Sequence, residues 1–220
     1  MTTMNIELAR FNMIEQQIRP WDVLNPGVLE LLGVVKREDF VPTAYQSMAF
    51  VDTEVPLPGG QCMLAPKVEA RILQELDVHK HERVLEIGTG SGFMAALLAH
   101  KSQHVTTFEI NPELARFAAS NLKRAGVMNV DVRATDGARG LASDAPFDVI
   151  VLSGSVAEVP AALLAQLKVG GRLVAIVGQE PVMRAVLVRR STDQGFEHTV
   201  LFDTVAQRLS GFSEPTRFHF

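Results

Sequence analysis

The stretch Val84–Phe93, VLEIGTGSGF, decides how the rest of the chain reads: an apolar run, three glycines at alternate positions, then the helical pattern MAALLAHK. Gly88, Gly90 and Gly92 lack a Cβ, so backbone there approaches a ligand closely and adopts angles that other residues resist. Thr89 and Ser91 between them complete a turn that carries the chain from a strand into a helix. Two ligand classes use such a turn. The dinucleotide fingerprint wants its third glycine at position 93, where this chain has Phe93. Glu86, two residues before the first glycine, is expected to point into the mouth of the pocket. There it repels a pyrophosphate and attracts an aminium group, which favours S-adenosylmethionine over a dinucleotide.

Toward the C-terminus, RVLEIG, HVTTFEI, VDVRAT, FDVIVLS and GRLVAIV read as strands. SGFMAALLAHK, PELARFAASNLKRAG and VPAALLAQLKVGG lie between strands, each long enough for the crossover helix that parallel neighbours require. RAVLVRRS and FEHTVLFDTVA read as an antiparallel hairpin closing the sheet. Glu109 ends the second strand about 20 residues past the glycines, where a carboxylate accepts both ribose hydroxyls, with Ile110 beside it. Asp136 follows the third strand, placed to accept from an adenine amino group, and Gly137 leaves room for the base. The plainer readings are a helix-capping acid ahead of Pro112 for Glu109 and an ordinary turn residue for Asp136. Asp148 is assigned to supporting the sheet. The tail SGFSEPTRFHF is weakly specified and expected to be partly disordered.

Toward the N-terminus the pattern is helical. Ile6, Leu8, Phe11, Ile14 and Ile18 form an apolar stripe ended by Pro20. Asn25 and Pro26 read as the cap and first position of a second helix, and Pro66 as the start of a third. Before Pro66 lies a loop with two glycines and the chain's only cysteine, PLPGGQCMLAP. In it Gln61, Cys62, Met63, Leu64 and Ala65 are read as a dry lid, with Cys62 lining the pocket instead of attacking substrate. The expected organisation is one domain over residues 1–220: a helical extension with the lid loop over 1–80 and an α/β core over 81–220. A formal charge of −4 gives no reason to expect nucleic acid or an anionic membrane as partner. With no paired cysteines and no leader-like run after Met1, a cytoplasmic protein is expected. No metal is expected, since the six histidines cluster only as His79 and His81, in a linker expected to be solvent-exposed.

REDFVP, AFVDTEVPLPGGQ, VLEIGTGSG, APFDVIV and EVPAALLAQLKVGGRLV occur in the order of similar segments in one family. The chain resembles the protein-L-isoaspartate O-methyltransferases, from about Lys36 to Gly178. The resemblance implies a class I, Rossmann-like methyltransferase fold, with a seven-stranded mostly parallel sheet and an N-terminal helical addition. It also implies that Gly88, Gly90, Glu109, Asp136 and Gly137 line the site for S-adenosylmethionine and its product S-adenosylhomocysteine. The family's loop reads Gln-Thr-Ile-Ser, then Gln or Ala, then Pro. Here Cys62, Met63 and Leu64 stand for its threonine, isoleucine and serine. Leu64 thus replaces the hydroxyl that lies beside the acceptor carboxylate, leaving no assigned catalytic side chain. Ser153, where the family often has threonine, is the candidate for a surviving hydroxyl, with loop capping as its plainer role.

The leading expectation is methylation of the L-isoaspartyl carboxylate in damaged proteins or peptides. A descendant acting on a small apolar acceptor and a non-catalytic cofactor-binding protein are the alternatives.

Overall fold

The computed structural model describes residues 5–214. Helix α1 (Ile6–Met13) is capped by Asn5 and runs on through a π-helical turn to Ile18; a single 3-10 turn holding Pro20 then ends it at Asp22, in left-handed conformation. Asn25 caps α2 (Pro26–Val34) by accepting from Gly27 and Val28, with Pro26 at the first helical position as read from sequence. The lid segment is not merely a loop, because β1 (Val55–Pro56) and β2 (Cys62–Met63) pair antiparallel across the turn at Gly59 and Gly60. Helix α3 (Pro66–Leu76) follows at once.

The α/β part then runs β3 (Arg83–Ile87), α4 (Phe93–Lys101), β4 (His104–Phe108), α5 (Pro112–Arg124) and β5 (Val130–Arg133), with β6 (Phe147–Val156) after a loop. The expected third crossover helix is reduced to α6 (Ala161–Leu164). The residues assigned to its second half instead begin the long β7 (Leu167–Gln179), where Gly170 and Gly171 suit extended or left-handed backbone better than helix. β8 (Val182–Arg190) and β9 (Phe196–Asp203) form the expected hairpin. The sheet order is β5-β4-β3-β6-β7-β8-β9, parallel through β7 and antiparallel beyond. Chain direction across the sheet therefore switches at β3, and open parallel sheets bind ligands beside such a switch, at the carboxyl ends of the strands.

One face of the sheet packs against α3, α4, α5 and the N-terminal helices, which contribute Met13, Ile18, Leu32 and Phe40 to a single buried cluster. The helical extension is thereby part of the core. Trp21, the only tryptophan, meets Phe202 of β9 edge to face at 4.9 Å, and Lys67 Nζ lies 5.0 Å over its ring. Asp148 accepts from the Arg83 N–H and from Lys168, tying β6 to its neighbours as its sequence position suggested. Residues Gln207–Gly211 come back over the sheet edge, where the Ser155 N–H donates to the Gln207 carbonyl and the Ser155 carbonyl accepts from the Leu209 N–H. The expectation of disorder in the tail falls partly on residues 215–220, outside the described residues.

Candidate functional site

The turn after β3 is set by left-handed backbone at Gly88, Gly90 and Gly92. Gly92 also touches α5: a Cβ on it would lie 3.2 Å from Leu122 and 3.3 Å from the Ala118 carbonyl. Helix α4 starts immediately after, with its N-terminus at the turn.

Glu109 sits just past β4, buried, with both oxygens oriented by backbone: Oε2 accepts from the Gly90 N–H at 2.9 Å and Oε1 from the Asn111 N–H at 3.0 Å. Each oxygen keeps a lone pair for a further donor. The helix cap before Pro112 is Asn111, not Glu109. Asp136 Oδ1 accepts from the Ala138 N–H, so it shapes its own turn while also lining the crevice. Gly137 is required by protein packing: a Cβ there would fall 2.6 Å from Phe108 Cβ and 2.9 Å from Ile87 Cδ1. Together these residues bound an open crevice, polar at Glu109 and Asp136 and apolar at Ile87, Ile110 and Leu114.

Glu86 corrects the sequence reading. Its side chain does not reach the mouth; it is fully buried beneath the turn, where Oε2 accepts from Thr107 Oγ1 and Oε1 from Ser153 Oγ, both at 2.7 Å. Strand alternation explains this, since Ile87 and Gly88 line the crevice and Glu86 faces away from it. Burial pushes its carboxyl up to about 7, against the two hydroxyl hydrogen bonds, and the charges of Glu69 and Glu109 add to the rise. Thr89 closes the chain of hydroxyls on Thr107, whereas Ser91 accepts from the Phe93 N–H and passes its carbonyl to Asn121. Ser153 is therefore committed to Glu86, although it also borders the crevice.

Met63 and Leu64 are buried and Cys62 half-buried, and all three wall a smaller crevice continuous with the first. Gln61 borders the larger crevice, and Ala65 precedes α3. Burial pushes the Cys62 thiol up to about 12, with the Glu54 charge and a 3.3 Å hydrogen bond to Glu54 adding to it, which removes the thiolate a nucleophile needs.

Sequence reading missed three contributors. Arg37, only 1 % exposed, donates to Glu69 through Nη1 and to the Leu64 carbonyl through Nη2 at 2.7 Å. Glu69 lies on the apolar stripe of α3 with Ile72, Leu73 and Leu76, and a charge in such a stripe is the signal that marks it. The segment after β9 brings Leu209 and Ser210 into the crevice wall and places Gly211 against Asp136, while Gln207 Nε2 donates to the Gly60 carbonyl at 2.7 Å.

A mostly parallel sheet closed by an antiparallel hairpin, with a glycine turn and two acids at successive strand tips, defines a class I methyltransferase. The chain matches the family profile of protein-L-isoaspartate(D-aspartate) O-methyltransferase over residues 9–207, and it belongs to that family. It is 38% identical over 196 residues to the protein-L-isoaspartate O-methyltransferase of Koribacter versatilis, covering 89% of this chain and 88% of that one. The Rhodopseudomonas palustris protein of the same name is 42% identical over 168 residues, covering 76% and 77%. In fold it is similar to a Plasmodium falciparum crystal structure assigned to the same family and solved with S-adenosyl-L-homocysteine, with a TM-score of 0.78 at 19% identity over 94% of this chain and 99% of that one.

Proposed function

We propose that the protein transfers the methyl group of S-adenosylmethionine to the carboxylate of L-isoaspartyl residues in damaged proteins or peptides, in the cytoplasm. The observation that carries this reading is Glu109, fixed between the Gly90 and Asn111 N–H groups at a strand tip within a chain of this family. The crevice fits the donor on its own chemistry. Its two carboxylates, Glu109 and Asp136, are acceptors that match ribose hydroxyls and an exocyclic amine, and its walls of Ile87, Ile110 and Leu114 match a purine face. Glu109 would hold the ribose and Asp136 the adenine edge, and the bound donor supplies a methyl group activated on a sulfonium.

The remaining work is positional. A carboxylate with pKa near 4 is already ionised at neutral pH, so the enzyme has no proton to remove. It has to align the acceptor oxygen with the methyl–sulfur bond and keep water out. Met63 and Leu64 exclude water, and the β1–β2 ladder with the Arg37 bond to the Leu64 carbonyl fixes where that wall stands. Without the loop hydroxyl, one donor to the charged acceptor is lost, worth about 1.5–3 kcal/mol. Felt wholly in the transition state, that is roughly ten- to a hundredfold in rate.

The test is to incubate the protein with labelled donor and paired peptides differing only in aspartate or isoaspartate, and to collect base-labile methyl groups. Label confined to the isoaspartyl peptide is the expected result. Donor binding without methyl ester on either peptide would overturn the acceptor assignment.

A further inference from the structure

Correcting Glu86 leaves one part of the proposed donor without a partner. The methionyl end carries an ammonium, and the acid expected to receive it has both oxygens taken by Ser153 and Thr107 and no accessible surface. The main crevice continues past Cys62, Gly88, Gly90 and Ser153 into the smaller one under the lid. Glu69 is the carboxylate in that second wall. It is only 4 % exposed, and Arg37 holds its Oε2 from behind. Among the described residues no donor reaches Oε1, and that oxygen is not sealed away. A buried carboxylate with one oxygen anchored and the other open to a crevice is a half-completed site for a cation.

We infer that Glu69 receives the ammonium of the donor's methionyl end, the role that sequence spacing assigned to Glu86. This rests on the donor reading above. Charge balance agrees with it: Glu86 feels the charges of both Glu69 and Glu109, and Arg37 is the guanidinium paired with Glu69. Arg37 acts as a positioning residue. Its guanidinium lies 5.1 Å over the Phe93 ring and joins Glu69 to the Leu64 carbonyl, so the tail of the donor and the wall of the acceptor site hang on one side chain. The charged and titratable groups facing Glu69 are Arg37, Glu86 and the Cys62 thiol. Burial pushes the Glu69 carboxyl up to about 7 despite Arg37, so a proton competes with the ammonium as pH falls through that value.

Calorimetric titration with S-adenosylhomocysteine and with its des-amino analogue tests the assignment. In the native protein the analogue should bind roughly 10- to 100-fold more weakly, the loss of one charge-assisted bond. Glu69→Gln should weaken S-adenosylhomocysteine by a similar factor and leave the analogue unchanged. It should also remove the loss of affinity expected of the native protein between pH 8 and pH 6. If Glu69→Gln fails to fold, the double variant Arg37→Met/Glu69→Gln, which removes the buried pair together, takes its place in the same comparison. Equal weakening of both ligands, or of neither, overturns the inference while leaving the donor reading intact. A native protein that binds neither ligand sinks the donor reading instead.

Discussion

The two halves of the site are built in opposite ways. On the proposed donor side the polar groups are answered within one sheet edge: Glu109 by Gly90 and Asn111, Glu86 by Thr107 and Ser153, Thr89 by Thr107. On the proposed acceptor side the wall is held from outside the sheet's strands, by Arg37 on the Leu64 carbonyl, Gln207 on the Gly60 carbonyl and, within the lid segment itself, Glu54 on Cys62. The first arrangement is drawn from neighbouring strands of one sheet and the turns at their tips. The second depends on three separate segments meeting, so it can change its chemistry one residue at a time while the donor side stays fixed.

The largest effect that could break this division comes from Glu109→Ala. It removes the proposed ribose acceptor and frees two backbone N–H groups, and S-adenosylhomocysteine should bind on the order of 100-fold more weakly by calorimetry. A matching rise in peptide KM at saturating donor would show that the halves are not separable. Leu64→Ser sharpens the contrast from the other side: kcat/KM on the isoaspartyl peptide should rise about tenfold with donor affinity unchanged. No rise would place the divergence in more of the pocket than one hydroxyl.

Smaller, and confined to stability, is Glu86→Gln. A carboxyl raised to about 7 in the fold against its ordinary value near 4.5 binds protons more tightly when folded. Its contribution to stability is therefore present at low pH and lost as pH rises from about 4.5 through about 7. Chemical denaturation at pH 5 and pH 8 should show that the variant loses part of this slope and gains stability at pH 8. The least effect is expected from Cys62→Ser, which should leave methyl transfer within about twofold, while the native thiol resists alkylation at pH 8 because it is protonated.

The same division explains what could be read from the chain alone. The strands, the glycine turn and the acids at 109 and 136 are local patterns, set by alternation and by backbone angles, and the structure puts them where spacing implies. Glu86 was misplaced because spacing gives a residue's distance along a strand but not which neighbours' hydroxyls will claim its carboxylate. The shortening of α6 followed from glycines at 170 and 171, which apolar periodicity alone does not weigh. Arg37 carries no local mark, since its meaning depends on α3 and the lid arriving beside it. The segment after β9 has a weak pattern for the same reason: its order comes from Ser155, Gly60 and Gly178, bonds that only the finished sheet offers.

The stacking of Trp21 on Phe202 also equips the protein with an optical probe. The single indole bridges the helical extension and the last strand, under the Lys67 ammonium at the head of the helix that carries Glu69. Its emission reports the docking of the extension with no dye attached, and any movement of that helix on ligand binding registers as a spectral shift.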